Sequence, residues 1–124
     1  MNIGIVGSRR WKNKEAIENL VNTLPADTTV VSGGAHGVDT WATEAARKRG
    51  LKVVEFLPES QPNGSPKWEY TKAYYARNRQ IAEYSHIVYA FVAPDRKGGT
   101  ENTIKHAKDL GTPVNIINED TSSE

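Results

Sequence analysis

The sequence predicts a three-layer α/β fold: a five-stranded parallel sheet with helices on both faces. Three observations predict it. Apolar residues switch between strand and helix periodicity in the order β-α-β-α-β-α-β-α-β, the strand-type runs are short and rich in β-branched residues, and glycine-rich turns follow the first, second and fourth of them. A length of 124 residues suits one domain that buries enough apolar surface to need no disulfide or structural metal.

Ile3 to Val6 reads as the first strand. Ala16, Ile17, Leu20, Val21 and Leu24 then recur at helical spacing, and Pro25, which cannot continue a helix, ends that run. Thr28 to Val31 is a short β-branched strand. Val38, Trp41, Ala42, Ala45 and Ala46 mark the second helix, closed by Gly50, and Lys52 to Leu57 is the third strand. Pro58 to Pro66, with three prolines and one glycine, is an irregular loop rather than a domain linker, because too little chain flanks it for two cores. A long helix runs from Trp68 to Tyr84, with Tyr74, Asn78, Ile81 and Ala82 on one face. Ile87 to Val92 is almost continuously apolar, as a strand covered on both faces must be. Thr103, Ile104, Ala107 and Leu110 give the last helix, Gly111 its cap, and Val114 to Ile117 the last strand; residues 118–124 are expected to form a flexible tail.

Parallel strands joined by helices require right-handed crossovers, and the expected order is the Rossmann-like 3-2-1-4-5. In that order the chain reverses direction between strands 1 and 4, which opens a crevice at the carboxyl edge of the sheet.

Composition excludes several functions. The chain has no cysteine, hence no disulfide, thiolate metal site or cysteine nucleophile, and a reducing cytoplasm is the expected location. Met1 leads directly into Ile3 to Val6 without a basic n-region, and no run of about 18 apolar residues occurs, so neither export nor membrane insertion is expected. Sixteen Lys and Arg stand against 15 Asp and Glu; three of those acids lie in the last seven residues, so the body is modestly basic rather than polycationic. No HExxH, Ser-His-Asp order, paired carboxylates or Walker-type loop is present, and neither a metal nor a cofactor is expected.

The residues with chemical potential collect at the three glycine turns: Gly7-Ser8-Arg9, Ser32-Gly33-Gly34-Ala35-His36-Gly37-Val38-Asp39, and Gly98-Gly99-Thr100. A glycine turn entering a helix lets backbone N–H groups approach a phosphate, and the helix N-terminus adds about half a positive charge. Ser8 and Arg9 suit a phosphate, ribose or base, while Arg10 reads as a surface residue. Thr100 offers a hydroxyl to a phosphate or, on the plainer reading, caps its helix; Asp39 either caps the second helix or receives ribose hydroxyls; His36 is a phosphate donor or simply solvated. In Arg77-Asn78-Arg79, Asn78 points toward the sheet and needs partners that a glycine turn could supply, Arg77 reaches the crevice mouth, and Arg79 falls outside it. Glu101 is the carboxylate beside the third turn. Trp68, Tyr70, Tyr74 and Tyr75 either stack a base or pack at core and rim, the commoner use of tyrosines at helical spacing.

The stretches Ile5-Val6-Gly7-Ser8-Arg9, Val31 to Asp39, Arg77-Asn78-Arg79-Gln80-Ile81-Ala82 and Gly98-Gly99-Thr100 with Thr103 and Ala107 resemble the SLOG superfamily, which unites the Smf/DprA proteins with the Lonely Guy (LOG) nucleotide hydrolases. Within it the chain looks like the small stand-alone YspA/YpsA-type branch, with residues 1–117 as one nucleotide-binding domain. The resemblance implies a Rossmann-like fold, a nucleotide-type ligand at these turns and a homodimer. The LOG enzymes cleave the N-glycosidic bond of nucleoside monophosphates and carry a glutamate three residues after the threonine of PGGxGTxxE. Here that position is Thr103, and Glu101 stands earlier. The DprA-like side shares the GSR, SGxAxGxD and RNR motifs, and those relatives bind single-stranded DNA.

The leading expectation is a module that binds a nucleotide or nucleotide-derived signal, with Gly33, Gly34, Gly98, Gly99 and Thr100 on phosphate and Ser8, Arg9 and Arg77 orienting the remainder. Gly7, Ser32, Ala35, Gly37, Asp39 and Asn78 complete the ligand-binding set. Two alternatives stand beside it: a phosphoribohydrolase using Glu101 and Arg77, and single-stranded DNA binding, which the near-neutral charge favours less.

Overall fold

The computed structural model describes residues 1–119. Its elements follow the expected order: β1 (Asn2–Gly7), α1 (Lys14–Asn22), β2 (Thr29–Ser32), α2 (Val38–Lys48), β3 (Lys52–Glu55), α3 (Lys67–Tyr84), β4 (Ile87–Val92), α4 (Gly99–Leu110) and β5 (Val114–Asn118). The strands form one sheet in the order β3-β2-β1-β4-β5, parallel at every pairing. The fold is therefore the three-layer Rossmann-like arrangement that the sequence predicts.

Alternation along the strands divides the apolar residues between two cores. On one face Ile3, Ile5, Val30 and Phe91 pack with Ile17 and Val21 of α1 and Ala42 and Ala46 of α2. On the other, Val6, Val31, Val88, Ala90 and Val92 pack with Ile81 and Ala82 of α3 and Ile104 and Ala107 of α4. Helices α1 and α2 thus cover one face, α3 and α4 the opposite one.

Two boundaries and the buried face of one helix differ from expectation. β3 stops at Glu55: the Phe56 N–H still bonds the Ser32 carbonyl, but Leu57 is exposed and unpaired with any strand. The expected tail starts too early at 118, because Asn118 is in register with Val92, and the Glu119 carboxylate accepts the backbone N–H groups of Lys12 and Asn13 at 3.1 Å each. Residues 120–124 lie outside the described residues. The buried face of α3 is Ala73, Asn78, Ile81 and Ala82, without Tyr74. Tyr74 stands on the stripe of α3 that faces the crevice instead of the sheet, and its side chain stays exposed. Gly111 ends α4 in the left-handed conformation, φ 78°, as its placement predicts.

Candidate functional site

The ends of β1 and β4 lie side by side, Gly7 in register with Phe91, and the chain leaves them toward opposite faces of the sheet. A cleft of about 590 Å³ opens there, lined by Val6 to Arg10, Ala35, Asp39, one stripe of α3 (Thr71, Tyr74, Tyr75, Arg77, Asn78, Ile81) and Lys97 to Thr100 with Thr103. Gly7 is small for a packing reason: a Cβ there would fall 2.5–2.8 Å from three side-chain atoms of the fully buried Val38.

The first and third turns face the cleft. Ser8 and Arg9 line it, as do Gly98, Gly99 and Thr100. The N-cap of α4 is Gly98, whose φ of 114° admits no ordinary side chain, and no side chain caps the helix. Thr100 is therefore not the N-cap; the chain enters the helix earlier, and Thr100 is its second residue, buried with its surface toward the cleft. A Cβ at Gly99 would meet nothing nearer than Asn78 Nδ2 at 4.0 Å.

The second turn is organised differently. Ser32 Oγ accepts the Gly34 N–H at 3.2 Å, and Asp39 Oδ2 accepts the Ala35 N–H at 3.2 Å. Ser32, Gly33, Gly34 and Gly37 are not among the cleft-lining residues; Ala35 and Asp39 are. Nor does Asp39 cap α2, whose N-cap is Gly37. Its carboxylate instead folds back on the preceding turn, where it accepts the Ala35 N–H. Burial pushes the Asp39 carboxyl up to about 6, against the opposing pull of the Ala35 N–H and the Arg77 charge.

Arg77 ties the site together. Its Nη1–H donates to the Gly33 carbonyl at 2.5 Å, its Nε–H to Asn78 Oδ1 at 3.0 Å, and its guanidinium carbon stands 5.7 Å from the centre of the Tyr74 ring. Burial lowers its pKa, while Asp39 and Tyr74 oppose the shift. Asn78 has the partners its inward position demands: Nδ2 donates to the Gly99 carbonyl at 3.3 Å and to Asn102 Oδ1 at 3.1 Å. One member of the expected glycine-turn set thus supplies the acceptor.

Among the described residues the cleft lining carries four cations, Arg9, Arg10, Arg77 and Lys97, against the single acid Asp39. Arg10 sits at the exposed rim, paired with Asp95 at 2.6 Å. Glu101 stands outside the lining, its carboxylate gripped by the fork of Arg96 at 2.8 and 3.0 Å. His36 is exposed, and Arg79 pairs with Glu83 one turn along α3. Trp68, Tyr70, Tyr74 and Tyr75 are exposed rather than packed into the core. Three contributors escaped the sequence reading: Lys97, signalled by its place directly before the third glycine turn, Thr71, signalled by its place one turn before Tyr74 on α3, and Asn102, which has no local signal because only its contact with Asn78 involves it. Among the described residues no three His, Asp or Glu side chains cluster as a metal ion would require, and no helix is long and apolar enough to cross a membrane.

Residues 1–72 match the family described as DNA recombination-mediator protein A. Among solved structures the chain is similar to DNA processing protein A (DprA) from Streptococcus pneumoniae, with a TM-score of 0.79 and 22% identity over 98% of this chain and 52% of that one. It is also similar to the C-terminal domain of PF1911 hydrogenase from Pyrococcus furiosus, with a TM-score of 0.51 and 14% identity over 93% and 89% of the two chains. At these identities the likeness concerns the fold. The chain spans about half the length of that DprA, and no curated protein matches it.

Proposed function

The chain belongs to the DNA recombination-mediator protein A family, in the Smf/DprA group of the SLOG superfamily, and from that premise we propose that its cleft binds the phosphodiester backbone of single-stranded DNA. The observation that carries this reading is the convergence of the uncapped α4 N-terminus at Gly98 to Thr100 with Arg9, Arg77 and Lys97 around one hollow. Helix-end amides and guanidinium groups both favour a phosphate monoanion, and each phosphate neutralised releases counterions. The family's name and that of the DprA structure, both of which refer to DNA, support the same ligand class.

Size supports a single strand over a duplex. A hollow of about 590 Å³ is of small-molecule dimensions, suited to one or two unpaired nucleotides rather than to a double helix. The same size favours a second reading, a free nucleotide or nucleotide-derived signal in place of a strand. The phosphoribohydrolase reading has less support, since Glu101 is engaged by Arg96 outside the cleft and the lining offers Asp39 alone as a carboxylate among the described residues. A cytoplasmic homodimer is carried over with the family resemblance, and light scattering on the purified chain tests the dimer.

Fluorescence anisotropy with a labelled oligothymidylate tests the main reading. Affinity should fall steeply between about 50 and about 200 mM salt, and unlabelled mononucleotide should compete only weakly. Tight mononucleotide binding with no gain from a longer strand would transfer the assignment to the second reading. No strand binding at low salt would defeat the first.

A further inference from the structure

We propose that Arg96 is a positioning residue for the cleft: it holds the chain's own anion, the carboxylate of Glu101, off the α4 N-terminus and so keeps that terminus open to an external phosphate. This role rests on the single-stranded DNA reading above and adds to it a competitor built into the chain.

Glu101 is the third residue of α4, in its first turn. An acid at that position ordinarily turns back toward the N-cap, where it accepts a backbone N–H and sits at the positive end of the helix dipole. Here it would lie beside Gly98, Gly99 and Thr100, the residues through which α4 faces the cleft. No side chain caps the helix, however, Glu101 included. Its carboxylate is held by Arg96 instead, whose Nε–H donates to Oε2 at 2.8 Å and whose Nη2–H donates to Oε1 at 3.0 Å. A two-pronged pair is the geometry in which a partly exposed ion pair keeps its place, and it cancels the charge of the acid next to the terminus.

The backbone points to the same role. Arg96 has φ 55° and is the one non-glycine residue with positive φ among the described residues. Glycine adopts that conformation freely, while a residue with a Cβ resists it. An arginine therefore stands here against its own backbone preference, and its side-chain hydrogen bonds among the described residues all run to Glu101. The surrounding turn fixes the direction of the grip: the Arg96 N–H donates to the Ala93 carbonyl at 3.0 Å, and Asp95 Oδ1 accepts the Lys97 N–H at 3.1 Å. Arg96 is not among the cleft-lining residues, so its influence on a bound strand passes through Glu101.

The test measures the anisotropy of a labelled oligothymidylate at about 50 mM salt with the wild type, Arg96→Gly and Arg96→Asn, each also combined with Glu101→Gln. Glycine and asparagine both accept the left-handed turn, and urea unfolding reports that the variants are folded. Arg96→Gly and Arg96→Asn should bind the strand about fivefold more weakly than the wild type, as a carboxylate returned to a helix N-terminus implies. Adding Glu101→Gln should restore wild-type affinity although the ion pair stays broken. Adding Asp109→Asn, which removes the same charge near the far end of α4, should not. Wild-type affinity in a folded Arg96→Gly or Arg96→Asn overturns the proposal. So does a loss that Glu101→Gln fails to restore, which would mean that Arg96 meets the strand itself, or one that Asp109→Asn restores equally, which would mean that net charge alone acts. All three outcomes leave the strand reading standing, because the wild type still binds; a wild type that binds no strand overturns the two together.

Discussion

The guanidinium of Arg77 donates to the backbone carbonyl of Gly33 at 2.5 Å, joining α3 to the turn after β2 across 44 residues of chain. A Cβ on Gly33 would lie 2.6 Å from that same nitrogen and 2.9 Å from the guanidinium carbon. Gly33 is thus small because Arg77 lies on it, and a wall of the cleft is clamped to its neighbour.

Gly33→Ala should therefore displace the flexible end of Arg77 with no clash against backbone, weakening the fold by about 1.5–3 kcal/mol, the usual worth of a hydrogen bond to a charged group. Urea unfolding measures this. In the double variant with Arg77→Ala the alanine at 33 should add little further loss, since the bond is already gone; fully additive losses would mean that the two residues do not act through each other.

Gly99→Asp should abolish oligonucleotide binding while leaving the thermal midpoint nearly unchanged. The new side chain finds open space, with its nearest neighbour 4.0 Å from the Cβ, yet it puts a carboxylate at the helix terminus assigned to phosphate. Titration calorimetry that gives wild-type affinity for a folded Gly99→Asp would remove the α4 N-terminus from the site.

Arg9 lies exposed on the cleft rim. Arg9→Ala should leave the urea midpoint unchanged and lower the slope of log affinity against log salt by about 0.7, the value for one single-strand phosphate contact. An unchanged slope would show that Arg9 meets no phosphate.

Asp39 should make stability depend on pH in a definite direction. Burial raises its carboxyl from 3.8 to about 6, so the folded chain holds that proton more tightly than the unfolded one. The resulting stabilisation is fully present below the unfolded value of 3.8, is lost as pH rises through about 6, and stays lost above it. The difference between 3.8 and about 6 corresponds to about 3 kcal/mol. Asp39→Asn, which retains an acceptor for the Ala35 N–H, should abolish this decline. Urea midpoints of the two proteins compared across that pH interval check it, and a constant difference would mean that the carboxyl is unperturbed.

The sequence alone determined the element order, the parallel sheet and its strand order, and which turns reach the carboxyl edge. Those features are local or follow from chain handedness: Ile3 and Ile5 against Val6, or Ile81 and Ala82 on α3, announce their faces by spacing alone. Tertiary structure decided which backbone groups remain available to a ligand. Gly33 to Ala35 and Gly98 to Thr100 read alike in sequence, yet the amides of Gly34 and Ala35 are taken by Ser32 and Asp39, whereas the α4 terminus has no side-chain cap. In the same way, the carboxylate of Glu101 was drawn off by Arg96, and Tyr74 and Tyr75 were left exposed on the cleft-facing stripe of α3. Periodicity records which way a side chain faces, whereas the occupancy of a hydrogen-bonding group depends on partners and packing that are set only when separate elements meet.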